Sequence, residues 1–341
     1  MNKPPTIRDV ARACGLSHMT VSNVLNNRPV VSEKTRTEVL ETMRKMNFQP
    51  NAIARGLNRK SMNCIGVVLP DAYQAPTSHP YYLPVLNGIM SAAVSSRMDV
   101  IIYTGSLWTE EDSHSQPYLD GRSDGLVVVS PAIDGTLVTR LLERNTPFVC
   151  LGAYFTNPRV SCVCVDDGPS EMAAVEYLVR LGHRRIAMME GESVHRWVEL
   201  RSDGYRMALK KHGIAIDESL ILPGGFDETT VTPRLEALLA LEPSKRPTAI
   251  CGADDQIALV VLSELARMGV KVPEDISVIG FDDIAAAAPA NLTTMRQPIQ
   301  EMGYRAAEIL NLFLADPTWS PIKEFYTTNL VERGTVAPIS G

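Results

Sequence analysis

The ten residues Ser17-His18-Met19-Thr20-Val21-Ser22-Asn23-Val24-Leu25-Asn26 sort two chemistries at helical spacing. Wound as a helix, they place Val21, Val24 and Leu25 on one face at i, i+3, i+4. His18, Met19, Asn23 and Asn26 fall on the other face, with the hydroxyls of Ser17, Thr20 and Ser22 between them. So short a helix is marginal alone, and its apolar stripe needs a partner. Upstream, Ile7, Val10 and Ala11 form a matching stripe, and Cys14-Gly15-Leu16 supplies a glycine turn. Two short helices joined this way predict a helix-turn-helix, whose second helix enters the DNA major groove.

Boundary signals agree with that reading. Thr6-Ile7-Arg8-Asp9 has the spacing of a capping box, so a helix starts there, and Ser17 and Ser32 precede the next two. Asn26-Asn27-Arg28-Pro29 stops the second helix. A third, over roughly 33–46, brings Val39, Leu40, Met43 and Met46 to a small core with Phe48. Residues 51–57 then offer two helical turns at most, interrupted by Gly56, a length expected to order only against a partner.

Charge divides the chain in the same place. Residues 1–60 hold eleven Lys/Arg against four acids, a balance of +7, which leaves −13 for the rest of a chain with net charge −6. A basic module on an acidic body implies that only the N-terminal part meets a polyanion. With 45% hydrophobic and 21% charged residues among 341, the chain reads as globular, with room for two or three domains. Its apolar runs, such as Ile65–Leu69 and Leu126–Val129, are too short to span a bilayer, and no apolar leader follows the start. The expectation is a cytoplasmic protein without membrane contact. Six cysteines without Cys-x-x-Cys spacing read as small buried hydrophobes of a reducing compartment.

From residue 62 strands alternate with helices. Strands are predicted at 63–69, 99–104, 125–130, 147–152, 161–165, 185–189, 219–222, 247–252 and 276–281. Helices fall near 84–97, 135–145, 169–182, 201–213, 232–242, 256–269 and 299–315. Such alternation implies right-handed βαβ units. Two doubly wound parallel-sheet lobes are expected, the first at about 62–161 plus 293–322, the second at about 162–290 plus 323–336. The domain reading is thus a head at 1–48, a hinge at 49–61 and a body at 62–341.

In order and spacing, these segments resemble the lactose-repressor/galactose-repressor family over nearly the whole chain. The carrying residues are Thr6-Ile7-Arg8-Asp9-Val10-Ala11, Gly15-Leu16-Ser17-x-x-Thr20-Val21-Ser22, Val31-Ser32-x-x-Thr35-Arg36 and Asn47-Phe48-Gln49-Pro50-Asn51-Ala52-Ile53-Ala54-Arg55-x-Leu57. In the body they are Leu181–Ala187, Arg201-x-x-Gly204-Tyr205 and Val278–Asp283. The resemblance implies an all-α head joined by a hinge helix to an α/β body like periplasmic sugar-binding proteins. It further implies a homodimer on a pseudo-palindromic operator, usually a repressor, with an effector between the lobes.

Laid on this chain, the family pattern makes His18, Met19 and Asn23 the base readers. Asn can pair bidentately with adenine and Met can meet a thymine methyl. Many members carry Arg where this chain has Asn23. Thr6, Ser17, Thr20, Ser22, Asn26 and Ser32 match phosphate contacts, which position without reading. Asn51, Ala54 and Leu57 match the hinge, Leu57 being the side chain pushed into the minor groove. In the cleft the pattern implies Asp282 as acidic contact and Arg201 as forked donor, with Tyr81, Tyr82, His195, Trp197, Phe226 and Asp254 around them. Asp254 stands where an amide or small polar residue is frequent. Two acids, one arginine and several aromatics favour a sugar or sugar derivative, with a nucleobase or nucleoside second and a protein corepressor as a further alternative. No cofactor and no metal site is expected.

Rival classes lack their signatures. There is no Gly-x-x-x-x-Gly-Lys loop, Gly-x-Ser-x-Gly elbow or His-x-x-x-His pair. The adjacent pairs Asp254/Asp255 and Asp282/Asp283 invite a two-carboxylate glycosidase, but neighbours on an extended strand point apart. A plain solute receptor has no use for a basic helical head.

Overall fold

The computed structural model describes residues 4–50, 61–69, 80–103, 117–132, 135–191, 195–316 and 318–339. The chain forms two compact units, Met1–Asn63 and Cys64–Gly341. In the first, α1 (Ile7–Ala13), α2 (His18–Leu25) and α3 (Glu33–Lys45) enclose Val10, Ala11, Val21, Val24, Val39 and Met43. Ile7, Leu25, Met46 and Phe48 close the edges of this core. Leu40, expected inside, is 40% exposed, because Val39 and Met43 alone fill the narrow face that α3 turns inward.

Each helix of the head is started by a hydroxyl. Thr6 Oγ1 accepts from Asp9 N while the Asp9 carboxylate accepts from Thr6 N, a complete capping box. Ser17 and Ser32 accept from the amides of Thr20 and Thr35, satisfying orphan donors that otherwise face water. The turn between α1 and α2 passes through Gly15 at φ +65°, a conformation that costs glycine little.

The second unit holds two six-stranded sheets. The first contains β1 (Cys64–Val68), β2 (Asp99–Tyr103), β3 (Gly125–Val129), β4 (Phe148–Leu151), β5 (Ser161–Val165) and β11 (Lys323–Tyr326), in the order β11-β5-β4-β3-β1-β2. The second contains β6 (Ile186–Met189), β7 (Ile221–Leu222), β8 (Ala249–Gly252), β9 (Ser277–Asp282), β10 (Thr293–Arg296) and β12 (Asn329–Val331), ordered β12-β10-β9-β8-β6-β7. Every pairing is parallel except β10 with β12. Strands β1, β3 and β4 are buried throughout, as continuous apolar runs in a sheet covered on both faces require.

The connecting helices are α4 (Tyr82–Ser96), α5 (Thr136–Glu143), α6 (Asp167–Arg180), α7 (Arg196–Lys211), α8 (Glu228–Leu239), α9 (Asp255–Arg267) and α10 (Ile299–Ala315). Two crossings are unusually close. A Cβ at Gly88 of α4 would collide with the Gln300 carbonyl, and one at Gly204 of α7 with the Gly168 carbonyl.

Three strands sit in the other lobe from the one expected. Strand β5 pairs with β4 in the first sheet, β10 lies beside β9 in the second, and β11 returns to pair with β5. A short apolar run marks a segment as a strand but does not choose its neighbour. The chain crosses between lobes after β5, after β10 and between β11 and β12. Helix α7 also begins earlier than predicted, at Arg196, which puts Trp197 on its first turn.

Candidate functional site

On α2 the residues opposite the apolar core face outward. Met19 is 67% exposed and His18 is exposed, while Asn23 is half-buried beside them. The flanking hydroxyls are engaged locally: Ser17 Oγ and Thr20 Oγ1 lie 2.9 Å apart, and Asn26 Nδ2 donates to the Ser22 carbonyl at 2.9 Å. Thr6 and Ser32 are exposed at their helix starts. Asn51, Ala54 and Leu57 lie outside the described residues.

In the body, loops at the carboxyl ends of the parallel strands converge on one cleft, where ligands bind in open α/β sheets. Tyr81 and Tyr82, at the start of α4, meet edge to face with centroids 6.0 Å apart. His195 precedes α7 and stacks on Trp197 at 6.1 Å. Arg201 lies one turn further along α7, Phe226 in the loop after β7, Asp254 at the cap of α9 and Asp282 at the end of β9. All eight residues proposed from sequence for the cleft line it together, with Ser130, Gly152, Val165, Asp167 and Gln297 besides. Its room is about 50 Å³, enough for a few waters.

Arg201 organises the floor and is 4% exposed. Its Nε donates to Asp167 at 2.8 Å, and one terminal nitrogen donates to the Ala253 carbonyl at 2.5 Å and stands 3.7 Å from Asp282. Phe281 covers one face of the guanidinium at 3.6 Å, and Trp197 lies 4.7 Å away. Two of the donors of the fork expected for a ligand are therefore spent inside the protein. Burial lowers the Arg201 pKa, but Asp167 and Asp282 outweigh it and hold the group charged.

The carboxyls are in the opposite position. Burial lifts Asp282 well above the ordinary carboxylate range, with Arg201 pulling back, and lifts Asp167 by the same opposition. Asp254 rises to about 6 through burial, though its Oδ1 accepts from Ile257 N at 2.8 Å. Behind the floor, Glu171 is pushed up to about 8 by burial, and its Oε1 has no partner.

Three of the left-handed non-glycine residues lie at or beside the cleft. Ser130, Asp282 and Asp283 have φ of +42°, +118° and +58°, left-handed values that L side chains rarely adopt and that the surrounding structure must enforce.

The adjacent acids do point apart. Asp255 turns away from the cleft to accept from Thr294 Oγ1 at 2.6 Å and Ile284 N at 2.9 Å, and Asp283 pairs with Arg296 and Arg333. No two-carboxylate pair of neighbours faces the cleft. Asp167 and Gln297 were missed in the sequence. Asp167 opens a helix directly after a strand, a position that does signal a strand-end site, whereas Gln297, which donates to Asp282, has no such mark.

Two family models match the chain: bacterial regulatory proteins, lacI family, over residues 6–51, and the periplasmic binding protein-like domain over residues 175–336. The HTH-type transcriptional repressor PurR of Aliivibrio fischeri (strain MJ11) is 31% identical over 310 residues, 89% of this chain and 90% of the relative. Among solved structures, the lac repressor dimer bound to operator and the anti-inducer ONPF superposes with a TM-score of 0.82 at 26% identity, over 98% of this chain and 100% of that one. The complex of the transcriptional regulator CelR with cellobiose gives 0.74 at 28% identity, over 97% and 99%.

Proposed function

We propose, since the chain belongs to the LacI family of bacterial regulatory proteins, that it represses transcription under the control of a sugar or sugar derivative held between its lobes. The protein is a sequence-specific DNA-binding regulator and not an enzyme. Its place of action is the cytoplasm, where operators are. Among the described residues no helix is long and apolar enough to cross a membrane.

The observation that carries the effector reading is the convergence of Asp254, Asp282, Arg201, His195 and four aromatic side chains on one cleft. Carboxylates accept from neighbouring hydroxyls, and flat rings suit the apolar faces of a sugar. The similarity to a cellobiose complex supports the same class. In the head, His18, Met19 and Asn23 read bases, each good bidentate pair contributing about 1–3 kcal/mol of discrimination. Thr6, Ser17, Thr20, Ser22, Asn26 and Ser32 hold phosphates, and Asn51, Ala54 and Leu57 act at the operator centre.

The active species is a homodimer. Leu83, Met90 and Val94 repeat at helical spacing on the outer face of α4, with Val94 77% exposed, and no element among the described residues covers them. The edge strand β2 carries a further exposed apolar residue, Ile102. A second copy buries this face, a reading supported by the similarity to the lac repressor, which is a dimer on its operator.

Room for only a few waters means that a sugar enters when the lobes part or side chains turn. The effector then acts through its different affinities for the two lobe arrangements, the only way a ligand shifts such an equilibrium.

The test is a sugar screen by thermal shift on the full chain, repeated with operator DNA and fluorescence anisotropy. A native-state ligand raises the melting temperature and changes operator affinity. A sugar that raises the melting temperature and leaves operator affinity unchanged contradicts regulation through the cleft.

A further inference from the structure

A second cavity lies away from the effector cleft. The cleft sits at the carboxyl ends of the strands, whereas this one opens at the other end of the first sheet, where β4 begins. Its room is about 400 Å³, against about 50 Å³ in the cleft. The walls are Leu141 and Leu142 from the last turn of α5, Pro147 and Phe148 at the start of β4, and Phe313 and Leu314 near the end of α10. Successive residues of a strand face opposite ways. Phe148 and Cys150 therefore join the apolar cluster of α5, and Val149 and Leu151 that of α10. The cavity lies where the ends of both helices reach the first residue of that strand. A space of this size, mostly apolar with a few polar groups, has the form of a small-molecule site.

The polar groups fix the sign of the ligand. They are Asn145, Thr146 and Arg159, and no acid is among the described lining residues. Arg159 is set in place by the cavity's own residues, its Nη2 donating to the Leu142 carbonyl at 3.1 Å and to Asn145 Oδ1 at 3.2 Å. Among the described residues its Nε and Nη1 have no acceptor, and no carboxylate pairs with it. A cation with donors in hand thus stands beside an apolar space, in a body whose residues 61–341 carry a net charge of −13.

We propose that this cavity is a second binding site, for a small apolar carboxylate whose alkyl or aryl chain lies against the leucines and phenylalanines and whose head group meets Arg159. Apolar contact supplies most of the affinity, since an ion pair with an exposed arginine adds little. The arginine selects the head group. An alcohol forgoes the charge-assisted bond, and an amine meets a like charge. Preference for an anion runs against the sign of the body, so it reports on the local cation. The site is separate from the effector cleft, and its test does not depend on the effector reading.

The test uses the full-length protein at neutral pH and two matched series: octanoate, 1-octanol and octylamine, and 3-phenylpropionate, 3-phenylpropanol and 3-phenylpropylamine. In calorimetric titrations of at least one series the acid binds saturably, roughly threefold or more tighter than the alcohol, and the amine binds weakest. Methyl NMR of the parent locates the acid without any substitution: resonances of Leu142 and Leu314 shift on titration, and that of Val165 in the sugar cleft does not. In Arg159→Gln, whose fold is checked by circular dichroism melting, the acid falls to the level of the alcohol. Absence of saturable binding by either acid, tighter binding of the alcohols or amines, unmoved Leu142 and Leu314 methyls, or an acid preference that survives in Arg159→Gln overturns the proposal.

Discussion

The head and the cleft treat polar side chains in opposite ways. In the head, Thr6, Ser17 and Ser32 each close a helix start within three residues, and the side chains proposed to read bases stand outside a small apolar core. In the cleft, Asp167, Asp254 and Asp282 are buried around one guanidinium with His195 Nδ1 unmatched, and behind the floor Glu171 is buried with its Oε1 unmatched. A surface that must fit a duplex is best made of short, self-satisfied helices. A pocket that must hold and release a small molecule keeps bonding capacity in reserve, and the large core of the two lobes sustains that cost.

The most damaging change falls on the cleft. Arg201→Met leaves Asp167 and Asp282 without their counter-charge in a buried site and destabilises the chain by about 3–5 kcal/mol, read by denaturant unfolding. A variant as stable as the parent would mean that the floor does not depend on this pair.

Next comes Glu171→Gln. Between the ordinary carboxylate value of 4.5 and about 8, the folded protein holds a proton at Glu171 that the unfolded chain releases, so this group's contribution to stability falls as pH rises through that window. The variant melts higher than the parent at pH 8 and shows a flatter fall with pH, measured by calorimetry. Equal slopes would show that Glu171 is not buried in its neutral form.

The head yields smaller effects, and they separate reading from folding. Asn23→Ala weakens binding to the preferred operator by about 1–3 kcal/mol with little change on scrambled duplex, read by anisotropy at fixed salt. Ser17→Ala costs about 1 kcal/mol of head stability through the lost cap, read by hydrogen exchange of the α2 amides. If Asn23→Ala weakened specific and scrambled DNA alike, Asn23 would be a positioning residue and the contrast between readers and caps would need redrawing.

Legibility followed the range of the interactions. The head could be read because its signals are local: a hydroxyl, three residues, then a partner, as in Thr6 to Asp9. Leu40 was misplaced because helical spacing allowed it inside, and only the width of the three-helix core put it out. Strand positions were visible as short apolar runs, yet the sheet that took β5, β10 and β11 depends on crossings that no short window contains.

The cleft divides the same way. The eight residues proposed for it were placed by motif resemblance and do come together. Asp167 was overlooked although it follows β5 directly, and the partnership that spends Arg201 joins residues far apart in sequence. Ser130, Gly152 and Val165 stand at strand ends and were overlooked like Asp167, whereas Gln297 carries no such mark.

The most direct test of the account is binding of the purified full-length protein to a library of genomic fragments at moderate salt, against scrambled duplex of equal length. The account predicts at least one fragment bound on the order of a thousandfold more tightly than the scrambled control, with an affinity that shifts when the effector is added. Equal affinity for every fragment and for the control, with or without candidate sugars, would contradict it.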